Sequence, residues 1–134
     1  MANYEGWARS NYFKVKSVSE FVEYCGRYNL EEMKEEETER VGFTANSEYG
    51  FDSTYQNEDG DDVEGDMNEE LAALLADGEI AILMSVGHEK LRYVSGHAIA
   101  ISSDGTVKII RLGDIYDIAK TVTTRPDDIT AAEY

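Results

Sequence analysis

The chain contains one cysteine, one proline and few cations for its size. With Cys25 alone, an internal disulfide framework is excluded. Pro126 stands near the C-terminus, so no proline interrupts a helix or strand upstream of it. The longest nearly continuous apolar run, residues 80–86, is far short of the roughly 20 residues that span a bilayer. Residues 1–7 have neither the basic n-region nor the apolar h-region of a secretion signal. A reducing, cytoplasmic location without membrane insertion is therefore expected. Twelve Lys and Arg face 28 Asp and Glu, for a net charge of −16. DNA affinity comes mainly from cations that neutralise phosphates, so direct nucleic-acid binding is excluded as an expectation. Phosphate-binding loops and dinucleotide fingerprints are also absent, because no Gly-x-Gly-x-x-Gly or Gly-Lys-Ser/Thr occurs.

What is present fits one folded domain. A length of 134 residues suits a single core, and a 10% aromatic share argues against wholesale disorder. The negative charge is concentrated. Residues 31–79 hold eighteen Asp and Glu against two Lys and Arg, a net −16. Residues 1–30 and 80–120 are each +1, and the remaining tail is −2. An acidic surface kept only for solubility would be more evenly spread.

Periodicity predicts the elements. Residues 3–10 read as a loop or arm carrying Trp7. Residues 12–16 alternate as a strand with Phe13 and Val15 on one face. Ser17 and Glu20 form a capping box before a helix with Val18, Phe21, Val22 and Cys25 on its stripe, closed by Gly26 or Asn29. The Glu-rich run 31–39 has no clear assignment. Strands are expected over 40–44 and 51–55, with an acidic loop over 57–65. Asp66 precedes a helix carrying Met67, Leu71, Leu74 and Leu75, which Gly78 stops. Residues 80–86 read as a central strand buried on both faces, 91–102 as a second strand and 107–112 as its hairpin partner. Asp114 is placed to cap a last helix with Ile115, Ile118, Ala119 and Val122. The order implies an α+β fold, a mostly antiparallel sheet with two or three helices packed on one face.

Three constellations are candidates for function. Gly96-His97-Ala98-Ile99-Ala100-Ile101 resembles the histidine strand of papain-like and cell-wall-peptidase folds, where a histidine activates a cysteine. Cys25 would be the nucleophile, with Asp104 or Asp114 orienting the imidazole. Those folds hold the cysteine at a helix N-terminus, whereas Cys25 sits near a helix end, so a buried inert thiol is the competing reading. A calcium loop over residues 57–66 fits no EF-hand register, because Val63 or Glu64 falls where a ligand or the glycine is required. No metal or cofactor is expected.

The third constellation is the acidic stretch itself: Glu31, Glu32, Glu35, Glu36, Glu37 and Glu39, then Glu58, Asp59, Asp61, Asp62, Glu64, Asp66, Glu69 and Glu70. Carboxylates fixed on strands and a helix sit several ångströms apart, comparable to phosphates, and offer Lys and Arg the same charge-assisted contacts. Tyr49, Phe51 and Tyr55 lie beside them as apolar anchors. A strongly acidic chain of this size resembles the phage and mobile-element inhibitors of host defence, the anti-CRISPR and anti-restriction proteins. The opening Asn3-Tyr4-Glu5-Gly6-Trp7-Ala8-Arg9-Ser10-Asn11-Tyr12-Phe13-Lys14-Val15 is similar to the start of small accessory proteins of phages and plasmids. That resemblance implies a non-enzymatic inhibitor in an infected or element-carrying bacterial host, binding the basic nucleic-acid surface of a defence complex. The alternatives are a regulatory binder whose interface includes Trp7 and Tyr12, and the Cys25/His97 hydrolase.

Overall fold

The computed structural model describes residues 4–47, 50, 51, 54–56, 59–89 and 93–132. In chain order it contains β1 (Tyr4–Ser10), α1 (Val18–Arg27), β2 (Leu30–Glu35), β3 (Arg40–Ala45), β4 (Thr54–Gln56), β5 (Asp62–Glu64), α2 (Met67–Leu74), β6 (Ile80–Glu89), β7 (Tyr93–Ser102), β8 (Val107–Arg111) and α3 (Asp114–Lys120). Six strands form one sheet in the order β2-β3-β1-β6-β7-β8, and β4 pairs with β5 apart from it. Every strand pairing is antiparallel. The fold is α+β, as the element order implied.

The N-terminal segment corrects the sequence reading. Residues 4–10 form a strand inside the sheet, paired to β6 from Tyr4↔Glu89 to Ser10↔Leu83. Its core-facing positions include Ala8 and Ser10, both buried, while Trp7 is exposed. Small residues inside and large ones outside hide the usual strand signal. Ser10 is a buried polar residue, and its hydroxyl is spent: it donates to Asn11 O at 2.7 Å and accepts from Phe43 N at 2.9 Å. Here β1 and β3 approach closely, and a Cβ on Gly42 would come within 2.6 Å of Asn11 O. Only glycine fits that contact.

Residues 12–16, expected as a strand, make two isolated bridges instead, Phe13↔Val41 and Val15↔Leu75. They thread the chain from the sheet to the end of α2, with Phe13 N donating to Val41 O at 2.8 Å and Lys16 N to Leu74 O at 2.9 Å. Ser17 caps α1 as expected, its hydroxyl accepting from Glu20 N at 3.3 Å. The buried stripe of α1 is rotated from the predicted one: Phe21, Tyr24 and Cys25 are buried, whereas Val18 and Val22 are exposed. Tyr24 is drawn in because its hydroxyl donates to Met67 O at 3.2 Å, tying α1 to the start of α2. Asn29 ends the helix region in the left-handed conformation, φ 54°.

The Glu-rich run is an edge strand, β2, paired with β3 from Leu30↔Ala45 to Glu35↔Arg40. Leu30 is its buried anchor, and an edge position tolerates the weak strand propensity of Glu. The acidic loop also contains a short strand, β5. Of the strand expected over 51–55, β4 holds residues 54–56, and residues 52 and 53 lie outside the described residues.

The core lies between the sheet and the layer of α1 and α2. Phe13, Phe21, Tyr24 and Phe43 form its aromatic centre, with Phe13 edge-on to Phe21 at 5.9 Å and to Phe43 at 6.2 Å. Fully burying each such side chain stabilises by about 1.5–3 kcal/mol. Met67, Leu71 and Leu75 from the α2 segment complete it. The helix ends at Leu74, before the stop expected at Gly78, because Leu75 turns extended to bridge Val15, and Gly78 at φ 80° turns the chain toward β6.

The strand expected to be buried on both faces is buried on one. Ala81 and Leu83 face the core, but Ile80, Ile82, Met84 and Val86 face outward and are exposed. Continuous apolarity is the signature of a doubly covered strand, yet the outward side chains of this one remain exposed. The β7–β8 hairpin closes through Asp104, which accepts from Thr106 N at 2.9 Å and from the Ser102 hydroxyl, with Gly105 at φ 93°. Asp114 does not cap α3; Gly113 holds that position, and Asp114 is the first helical residue, accepting from Arg111 N at 2.8 Å. Ile115, Ile118 and Val122 are exposed. Among the described residues no helix is long and apolar enough to cross a membrane.

Candidate functional site

The acidic stretch divides into two arrays. The first is the β2 edge and the turn that follows it. Glu31, Glu32, Glu36, Glu37 and Glu39 are exposed there, and Glu35 is half-buried, accepting from the Thr38 hydroxyl at 2.5 Å. Residues on β2 alternate sides: Leu30, Glu32 and Lys34 lie on the helix-covered face, while Glu31, Met33 and Glu35 lie on the other. Glu39 holds a left-handed backbone, φ 62°, which tightens the turn into Arg40.

The second array surrounds the start of α2. Asp59, Asp61, Asp62, Glu64, Asp66 and Glu69 are exposed. Asp66 is the helix N-cap, accepting from Glu69 N at 3.0 Å. Acidic groups in the first turn are stabilised by the positive end of the helix dipole. Glu64, Gly65, Asp66, Met67 and Asn68 form one wall of an open cleft of about 520 Å³, with Phe51, Leu83, His97 and Ile99 opposite. The two arrays thus stand above different strands, β2 for one and β6 and β7 for the other. Three to four strand spacings separate those positions, about 14–19 Å. Helix α1, with exposed Glu20 and Glu23, lies between β2 and α2.

Two arginines near the arrays are engaged, while Lys14 and Lys34 line a cleft with Glu35, Glu36 and Glu39. Arg27 pairs with Glu70, which also accepts from the Tyr28 hydroxyl. Arg40 pairs with Glu79 at 2.9 Å, and Glu79 also accepts from Lys14 N at 2.8 Å. Glu70 is therefore a tether between α1 and α2 as well as a member of the acidic array. Among the described residues, Glu31, Glu36, Glu37, Glu39, Asp62 and Glu64 form no ion pair.

Of the proposed aromatic anchors, Phe51 is half-buried and stacks edge-on against Phe43 at 5.7 Å, so part of its ring belongs to the core and part to the cleft. Tyr55 lies on β4, whose side chains are outside the description, and Tyr49 and Glu58 lie outside the described residues.

Cys25 and His97 occupy different environments. Cys25 is 1% exposed in the core, and burial, with the Glu32 carboxylate adding to it, pushes its thiol up to about 12. Such a thiol is protonated at neutral pH and is a poor nucleophile. His97 is exposed beside the acidic cleft on β7, and no hydrogen bond joins it to Cys25 among the described residues. The two aspartates considered as its orienting partners are spent elsewhere, Asp104 in its own turn and Asp114 on Arg111 N. No cluster of three or more His, Cys, Asp or Glu among the described residues is arranged to hold a metal ion.

Sequence reasoning missed a second surface, the bare outer face of β1, β6, β7 and β8. Trp7, Met84 and Val86 are 55%, 53% and 49% exposed on it, and Ile110 is 67% exposed. The signal was present in the nearly continuous apolarity of residues 80–86. Comparison with family models, curated proteins and solved structures found no match to this chain.

Proposed function

We propose that the protein inhibits a bacterial nucleic-acid-targeting defence complex, of the anti-CRISPR or anti-restriction type, by offering its acidic arrays to the complex's basic nucleic-acid-binding surface. The observation that carries this reading is the state of the carboxylates. They stand exposed on ordered strands and a helix start, while nearby Arg27 and Arg40 are committed to Glu70 and Glu79. Packing so many like charges together destabilises a compact fold, which suggests an offsetting use. Alternate residues on a strand are about 6.6 Å apart, so a row of Lys and Arg that reads phosphates can also engage these carboxylates. Charge would steer the encounter, and the Phe51 edge in the cleft would supply apolar contact. No cofactor enters this reading, and it involves no catalysis: Cys25 is buried and protonated, and no hydrogen bond joins it to His97 among the described residues.

A competition experiment tests it. The defence complex that the protein captures is titrated with this chain in the presence of its own DNA or RNA. Displacement of the nucleic acid, weakened by salt but less steeply than duplex binding, is the expected result. A stable ternary complex with undiminished nucleic-acid affinity would show that the arrays do not occupy that groove. Exchanging Asp61, Asp62, Glu64 and Glu69 for Asn or Gln should abolish capture and leave the melting curve intact. A second reading, a regulatory binder that uses Trp7 and Tyr12, draws support from the exposure of Trp7 on the bare sheet face.

A further inference from the structure

The bare face has relief as well as apolarity. Antiparallel pairing sets its outward residues in rows across four strands. One row runs Trp7, Val86, Gly96 and Leu112; the next runs Arg9, Met84, Ala98 and Ile110; a third holds Ile82, Ala100 and Lys108. Along β6 the outward side chains are large, Ile82, Met84 and Val86. Along β7 they are small, Gly96, Ala98 and Ala100. Ile110 and Leu112 rise again beyond them. A ridge on β6 therefore runs beside a furrow on β7. The furrow is an apolar groove of about 180 Å³ lined by Met84, Val86, Gly96, Ala98, Ile110 and Leu112.

We infer that this face binds a second copy of the chain, sheet against sheet, about a two-fold axis parallel to the strands and midway between β6 and β7. That axis carries each β6 over the other copy's β7 and each β1 over the other copy's β8, and it keeps the rows in step. Met84 then meets Ala98 of the second copy, Val86 meets Gly96, and Ile82 meets Ala100. Large side chains face small ones at every central position, the arrangement that lets packed layers interdigitate. Aligned face-to-face sheets pack about 10 Å apart with strand directions within about 30°.

Two further observations select a second copy as the occupant. The first is charge. In a chain of net −16, the outward positions of these four strands hold Arg9, His88 and Lys108 against one acidic position, Glu5, which the register sets opposite His88 and which the two-fold keeps on opposite sides of the axis in the two copies. Two copies can meet here without bringing acidic groups together. The same geometry leaves β2 and β3 outside the overlap, with the two β2 edges roughly 34 Å apart at opposite ends. The second is size. The 7, 10, 10 and 5 residues of β1, β6, β7 and β8, at about 3.3 Å along and about 4.8 Å across, give a projected footprint of roughly 500 Å² per copy before side-chain relief is counted. Stable interfaces bury about 800 Å² per partner.

Sedimentation equilibrium of the full chain tests the inference. The expected particle has twice the 15.0 kDa chain mass. It should tighten as salt rises, because screening relieves repulsion between two acidic subunits. This is opposite to the salt response of capture by a basic partner. Met84→Lys should yield a monomer with an intact circular-dichroism melt, and Ile110→Lys at the exposed margin should do the same if the first variant folds poorly. Ala98→Met should also break the dimer by filling the furrow, and Met84→Ala combined with Ala98→Met should restore it. A parent chain that stays monomeric at all salt concentrations would overturn the proposal, as would capture of a different protein on this face by a monomeric chain. A dimer indifferent to Met84→Lys and Ile110→Lys would do so as well, and so would a double variant that fails to recover.

Discussion

The two faces of β6 differ in what lies over them, and the covered face, with Ala81, Leu83 and Ser85, is the less apolar of the two beside Ile80, Ile82, Met84 and Val86. Ala81 and Leu83 sit under the helices at 0% and 2% exposure, whereas Ile82 and Met84, one position along in each case, stand in solvent. Hydrophobicity drives burial in general, but which face is buried depends on what else the chain can supply to cover it. Helices α1 and α2 have one buried stripe each and cover one side of the sheet. The other side is left largely apolar and shaped in ridges, in a molecule whose acidic charge is concentrated elsewhere. The two contacts proposed above divide along the same line, the apolar face for a copy of the chain and the acidic edge for a basic partner.

Substitutions on the two faces sharpen the contrast. The largest effect is expected from Phe43→Ala, which opens a cavity among Phe13, Phe21, Tyr24 and Phe51. It should cost about 3–5 kcal/mol by urea denaturation. A loss under 1 kcal/mol would mean that the aromatic cluster is not the centre of stability.

Ser10→Ala, also on the covered face, removes the acceptor for the buried Phe43 N–H. A cost of about 1–3 kcal/mol is expected from that one unsatisfied group, in a site where the volume change is slight. Ser10→Thr should not rescue it, because the added methyl meets the close approach at Gly42.

Cys25 gives a pH test of the same core. Its folded-state pKa, about 12, lies above the ordinary value of 9.0, so the fold holds the neutral thiol. Below pH 9 the group contributes no pH dependence. Between about 9 and 12 the unfolded chain gains stability by ionising, and folding stability should fall as pH rises. Tyr24, whose phenol is also pushed upward by burial, acts in the same direction. Comparing alkaline melts of the parent and Cys25→Ala isolates the thiol, and the parent should show the steeper loss. A thiol that reacts rapidly in the native state at pH 8 would contradict the burial.

The smallest effect belongs to the bare face. Met84→Ala, measured at a concentration low enough to keep the chain monomeric, should change stability by no more than about 0.5 kcal/mol. A loss comparable to that of Phe43→Ala would show that something covers this face within the monomer.

Much of the framework was legible from local pattern alone. The Ser17 cap, the Asp66 helix start and the hairpin turn at Gly105 each depend on a few neighbouring residues whose chemistry acts within one turn of chain. So does the concentration of charge between residues 31 and 79, which is a property of composition. Tertiary structure decided the rest. Residues 4–10 became a strand because β3 and β6 flank them, and their inward residues are small because the chain passes close to β3 at Gly42 and under the core. Residues 31–35 became a strand because β3 offered a free edge and Leu30 an anchor. Tyr24 displaced Val18 and Val22 from the buried stripe because Met67, distant in sequence, supplied an acceptor for its hydroxyl. The acidic stretch was divided into two arrays because its halves lie above different strands. Whether an apolar strand is covered on one face or two is likewise set by how many helices pack on the sheet, and no window of sequence along residues 80–86 contains that number.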